Sequence, residues 1–110
     1  MRKTILIGSE SVEMVANAAT PFRFKNVFKK DLLKIFSAAD EENASLQMEA
    51  GQMLAFIMAK QAEKVDMNTL TEENFYEWLE GFMSSDLYDC LDDFVDLWQA
   101  SQKTSSTPKK

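Results

Sequence analysis

The segment spanning residues 44–64 constrains the rest of the fold. Met53, Leu54, Phe56, Ile57 and Met58 take up almost the whole circumference of a helix there, and a helix that is apolar all round has to be enclosed by other elements. Each neighbouring segment must therefore bring a one-sided apolar face. Thr20-Pro21 reads as a helix start, a capping hydroxyl followed by a residue whose fixed φ suits the first helical position. Phe24, Val27, Phe28, Leu32, Ile35 and Phe36 then fall on one side at helical spacing, with Arg23, Lys25, Lys29, Lys30 and Lys34 on much of the remainder. The spacing predicts one amphipathic basic helix or a bent pair.

Beyond a connector at 65–70, Thr71 can cap a helix whose first turn carries Glu72 and Glu73, favourable at the positive end of a helix dipole. Phe75, Trp78, Leu79 and Phe82 make its inner face. Gly81 and the Ser84-Ser85 pair signal a break and a new cap. A last helix follows with Leu87, Cys90, Leu91, Phe94, Leu97 and Trp98 inside and Asp86, Asp89, Asp92, Asp93 and Asp96 outside. At the other end, residues 3–7 are β-branched and apolar, Gly8-Ser9 offers a turn, and residues 11–15 alternate, with Val12 and Met14 on one face. A lone hairpin is marginal in water, so helices must cover it. The expected fold class is α+β, mostly α: an N-terminal β-hairpin packed on a bundle of about four to five helices. Residues 1–102 form a single helical domain, and 103–110, which offer little apolar surface to offset ordering, a disordered basic tail.

Size and composition agree with one core. The chain has 110 residues, 45% of them hydrophobic, with eight Phe and two Trp, which suits one domain and not two. No apolar run approaches the roughly 18 residues of a membrane span, and MRKTILIGSE is too short in its apolar part for a secretory signal. Cytoplasmic residence is expected. The lone Cys90 excludes an internal disulfide, and a chain without histidine lacks the common zinc-ligand sets. Charge is segregated: residues 1–40 hold seven Lys/Arg against four acids, residues 41–102 two lysines against fourteen acids, and residues 103–110 three lysines. So acidic a second half disfavours nucleic acid, whose phosphates call for clustered cations. It accommodates a basic or apolar protein partner, and the basic face of Lys25, Lys29, Lys30 and Lys34 suits either nucleic acid or the acidic face of a neighbouring subunit, the latter giving self-association by head-to-tail contact.

No catalytic constellation emerges, and no cofactor is expected. Asp92-Asp93-Phe94-Val95-Asp96 has the form of a DDxxD magnesium motif, but no second metal motif or cation cluster accompanies it, and a solvated helix face explains the same residues. The acids also lack the D-x-D-x-D-G order of a calcium loop. Cys90 has no histidine to activate it and falls on the apolar face, the place of a core thiol. No G-x-S-x-G or Gly-rich phosphate loop is present. Of the seven methionines, most suit core filling, and Met48 and Met83 fall near helix edges where exposure is expected.

In order, the hairpin, ANAATPFRFKNVFKKDLLKIF, MLAFIMAKQAEK, ENFYEWLEGF and the acidic helix ending LDDFVDLW resemble the tail assembly chaperones of long-tailed, non-contractile (siphovirus-type) phages or prophages of Gram-positive bacteria. The resemblance covers residues 1 to about 101. It rests on Ala19-Thr20-Pro21 leading into Arg23 and Phe28, the Ala59-Lys60-Gln61 helix, and Phe75 to Phe82 with Trp78. What it implies is a non-enzymatic helper in the cytoplasm of the bacterial host, absent from the mature virion. Such a helper coats the tape measure protein and keeps it soluble until tail-tube (major tail) protein polymerises around it. It also implies a second, longer product made by programmed ribosomal frameshift, while the expected homo-oligomer rests on the charge segregation. Pro108-Lys109-Lys110 is then either the joint where the extension begins or a frayed terminus.

Shielding an amphipathic helix calls for an apolar groove with a charged rim. The last two helices are the candidates, with Asp89, Asp92, Asp93 and Asp96 as rim and Met83 and Tyr88 nearby; no residue is carried over from the family as a binding site. The competing reading is an acidic protein-interaction module, such as an inhibitor whose carboxylates imitate a nucleic-acid backbone.

Overall fold

The computed structural model describes residues 1–37 and 44–103. The basic-tail expectation therefore falls largely outside the described residues. Strands β1 (Arg2–Ile7) and β2 (Glu10–Val15) form the antiparallel hairpin, with Ile5 opposite Val12 and Ile7 opposite Glu10. The register leaves a two-residue turn in which Gly8 has φ +65 and Ser9 does not enter the left-handed region, the pattern of a type II′ turn. The positive φ requires glycine there, and a Cβ at Gly8 would in addition displace the carboxylate of Asp86, whose Oδ2 would stand 2.5 Å away.

Six α-helices follow among the described residues: α1 (Thr20–Phe28), α2 (Leu32–Ser37), α3 (Ala44–Glu63), α4 (Glu72–Leu79), α5 (Ser84–Asp89) and α6 (Leu91–Lys103), with a 3₁₀ turn at Met67–Thr69 before α4. The fold is the expected α+β, with one helix more than the upper expectation. The basic segment is a bent pair, divided where Lys29 takes φ +61 and its N–H bonds the Lys25 carbonyl at 2.8 Å. The last helix is cut at Cys90, whose N–H turns back to the Leu87 carbonyl. Helix α6 also reaches Lys103, one residue into the segment read as tail.

Every residue from Leu54 to Met58 is fully buried, with Met53 and Ala59 nearly so. Helix α3 is thus the centre that its all-round apolar surface demands. It lies across β2 and against α1, α2, α4 and α6, and one buried cluster joins Ile5, Ile7 and Met14 of the hairpin to Phe24, Phe28, Phe56, Phe75, Phe94 and Trp98. Phe28, Phe56 and Phe75 form a triangle with ring centroids 5.2–6.2 Å apart, largely edge to face, the arrangement the ring quadrupoles favour. A Schellman turn ends α3: Lys64 has φ +61, its N–H meets the Gln61 carbonyl, and the Val65 N–H reaches back to the Lys60 carbonyl at 3.3 Å.

Two expected caps turn out otherwise. Thr20 is fully buried inside the first turn of α1, and its hydroxyl accepts the Asn17 N–H at 3.0 Å and faces Gln61 across the core, so it caps nothing. Thr20 stands one position past the cap residue Ala19, and its hydroxyl is shared between Asn17 and the distant Gln61. Ser84 and Ser85 lie within α5, which starts from Met83 without a side-chain cap bond. Thr71 does cap α4: its Oγ1 accepts the Asn74 N–H at 3.3 Å while Asn74 Oδ1 accepts the Thr71 N–H at 3.0 Å.

Candidate partner-binding groove

Three helix segments meet around an open groove of about 360 Å³, lined by Phe36 of α2, Gln47 and Met48 of α3, and Leu91, Asp92, Val95 and Asp96 of α6. Leu91, Val95 and Phe36 form a half-buried floor, and Met48 stands at its edge, 42% exposed. The geometry is built locally. Gln47 Nε2 donates to the Ile35 carbonyl at 3.2 Å, which ties the start of α3 to the end of α2, and Phe36 packs on Trp98 with centroids 5.9 Å apart. Gly51 leaves room for Leu91 on the groove floor, since a Cβ there would come within 2.8 Å of Leu91 Cδ2 and push that methyl aside.

Of the acids expected to form one rim, the structure brings only Asp92 and Asp96 to the groove, one turn apart on the outer side of α6. Both are exposed, and among the described residues neither pairs with a cation; the ion pairs present there are Arg2 with Glu13 and Lys60 with Glu63. Asp89 and Asp93 are also exposed but lie on the side of Cys90. Burial pushes the Cys90 thiol pKa up, and Asp93, Asp89 and Asp86 raise it further. Its Sγ is 3.0 Å from the Leu6 carbonyl oxygen. Asp92 and Asp93 occupy the first turn of α6, where the helix dipole favours them whatever else they do.

Met83 and Tyr88 are exposed, at 69% and 49%, but neither lines the groove. Lys25, Lys29 and Lys34 lie exposed on α1, its cap and α2, with Lys30 half-buried between. Lys29 Nζ donates to the Asn26 carbonyl at 2.8 Å, which satisfies a carbonyl at the end of α1. Sequence reading passed over Phe22 and Leu33, exposed at 75% and 49% on the same helix pair; their signal was that they fall off the apolar face. It also passed over Phe36 and Leu91 as groove floor, since both sit at core spacing. Among the described residues no group of three or more Cys, Asp or Glu side chains is placed to hold a metal ion, and no helix is long and apolar enough to cross a membrane.

The chain matches no protein-family model, no curated protein and no solved structure.

Proposed function

We propose that the protein is a non-enzymatic tail assembly chaperone of a siphovirus-type phage or prophage of Gram-positive bacteria. It binds the tape measure protein through the groove between α2, α3 and α6 and keeps that chain soluble while the major tail protein assembles around it. It acts in the cytoplasm of the host and is absent from the mature virion. The groove is the observation that supports this reading: a floor of Phe36, Leu91 and Val95 beside Met48 suits the apolar stripe of an amphipathic helix. Asp92 and Asp96 suit a basic flank of the same helix. Met48, flexible and polarisable, adapts to the irregular side chains of a long partner. Self-association through Lys25, Lys29, Lys30 and Lys34, and a longer frameshifted product, belong to the same reading. Intact-mass analysis of everything translated from the gene in its native nucleotide context tests the latter.

The groove is tested by co-expressing the tape measure protein with the chain and measuring how much of it stays soluble. Asp92→Lys with Asp96→Lys should lose most of the soluble partner, and Asp89→Lys with Asp93→Lys should retain it. Each pair reverses one first-turn charge of α6, so their costs to folding are matched at about 0.3–1 kcal/mol. Equal loss from both pairs would favour an unspecific acidic module, and no loss from either would overturn the reading.

A further inference from the structure

The hairpin carries a second unpartnered surface. Met1 and Ala16 exchange both backbone hydrogen bonds, at 2.9 and 2.8 Å. Bonded pairs alternate along an antiparallel ladder, so Lys3 with Met14, Ile5 with Val12 and Ile7 with Glu10 are the other bonded pairs. Arg2, Thr4, Leu6, Ser11, Glu13 and Val15 consequently turn their N–H and C=O groups outward. Two of those carbonyls are already met, Leu6 by the Cys90 thiol and Val15 by Gln61 Nε2 at 2.6 Å. Among the described residues nothing meets the outward peptide groups of Ser11 and Glu13.

That stretch of edge is one wall of a groove. Glu10, Ser11, Val12 and Glu13 face Ala62 and Glu63 at the end of α3 and Trp78, Gly81 and Phe82 after it, around about 350 Å³ of space. Val12, Trp78 and Phe82 are half-buried, while Glu10, Glu13 and Glu63 are exposed along the rim. An extended chain laid here would find backbone partners on Ser11 and Glu13, apolar contact at Val12, and carboxylates on either side.

We propose that the free edge of β2 is a strand-addition site for an extended, basic segment of a protein partner. Main-chain bonds supply affinity in this mode and alternate side chains supply selectivity. Charge selects the occupant. Glu13 is met by Arg2 and Glu63 by Lys60, but Glu10 has no cation among the described residues, and a lysine or arginine two positions from an apolar residue matches Glu10 beside Val12 on one face of the sheet. An acidic strand is repelled, as charged edges ordinarily repel stray strands. The site is separate from the α2–α3–α6 groove and does not depend on the function proposed for it.

The test uses the full chain and the fluorescein-labelled peptide KTVTKTVTK, read by fluorescence polarisation. Saturable binding is expected, with no binding of ETVTETVTE. Methylating alternate backbone nitrogens of the peptide, which removes its donors and leaves its charge, should weaken binding by at least about tenfold. Ser11→Pro should do the same, because the Ser11 N–H points away from β1 and its loss spares the ladder; an unchanged far-UV spectrum verifies folding. Ser11 and Glu13 amides should exchange more slowly with peptide bound. The proposal is overturned if KTVTKTVTK does not saturate, or if the methylated peptide binds within about twofold of the parent. Unchanged affinity in folded Ser11→Pro overturns it as well. A clear gain in affinity on deleting residues 104–110 would assign the edge to this chain's own lysines and equally overturn an outside partner.

Discussion

Gln61 and Thr20 are the buried polar side chains among the described residues, and replacing Gln61 isolates what their contact is worth. Gln61 Nε2 donates to the Val15 carbonyl at 2.6 Å and to Thr20 Oγ1 at 3.1 Å, so one amide joins α3 to the end of β2 and the start of α1. Gln61→Leu keeps the volume and removes the donor. The Val15 carbonyl is then left against a methyl group, at about 1–3 kcal/mol. Thr20 keeps its bond from the Asn17 N–H, so its loss is nearer the ordinary net value of about 0.5–1.5 kcal/mol. Added apolar burial returns about 1 kcal/mol. The expected net loss is about 0.5–3.5 kcal/mol, measured by urea unfolding followed through tryptophan fluorescence, and unchanged or increased stability would refute this account.

Gln61→Glu sharpens the test because only its protonated form can donate to Val15. Burial beside a carbonyl disfavours the carboxylate, so the folded-state pKa of the new side chain lies above its unfolded value. The stability is therefore present at low pH and lost as pH rises through the folded pKa. A deficit relative to the native chain that stays constant between about pH 4 and pH 7 would show that the donor to Val15 is not what matters.

Phe56→Ala empties the middle of the aromatic cluster formed with Phe28, Phe75 and Trp78 and should cost about 3–5 kcal/mol in the same urea assay. Lys29→Gly relieves a left-handed residue at the end of α1; it should stabilise by up to about 1 kcal/mol, offset in part by losing the bond from Nζ to Asn26, and a loss above about 0.5 kcal/mol would contradict that account. Cys90 should react slowly with iodoacetamide in the folded chain and rapidly in urea, since burial and then Asp93, Asp89 and Asp86 all hold the thiol protonated. With the folded pKa raised, its contribution to stability is fully present below the unfolded thiol pKa and declines as pH rises through the folded one. A Cys90→Ser chain whose stability falls as steeply in that alkaline range would refute this assignment.

What proved legible in the sequence was what short-range chemistry decides. The two-residue turn at Gly8-Ser9, the Thr71 cap with its acidic first turn, and the enclosure of α3 each follow from residues within a few positions of one another. The misread points are those where a distant group competes. The Thr20 hydroxyl faces Gln61, 41 residues away, and is held inside α1. The last helix divides at Cys90, whose thiol is buried as its spacing indicates and also reaches the Leu6 carbonyl, 84 residues away. Neither competitor leaves a periodicity or a spacing to read.

The acidic rim shows the same division within one element. Asp89, Asp92, Asp93 and Asp96 are all outward, as helical spacing indicates, yet spacing alone says only that they avoid the core. What turns two of them into the edge of a groove is the approach of Phe36 and Met48 from α2 and α3, with Gly51 leaving room for Leu91 on the floor between. Asp89 and Asp93 instead sit where the helix break turns toward the hairpin, and their charge acts on Cys90. A helix face therefore becomes a candidate site only when a neighbour supplies the opposite wall, and that neighbour is set by which apolar faces α3 gathers around itself.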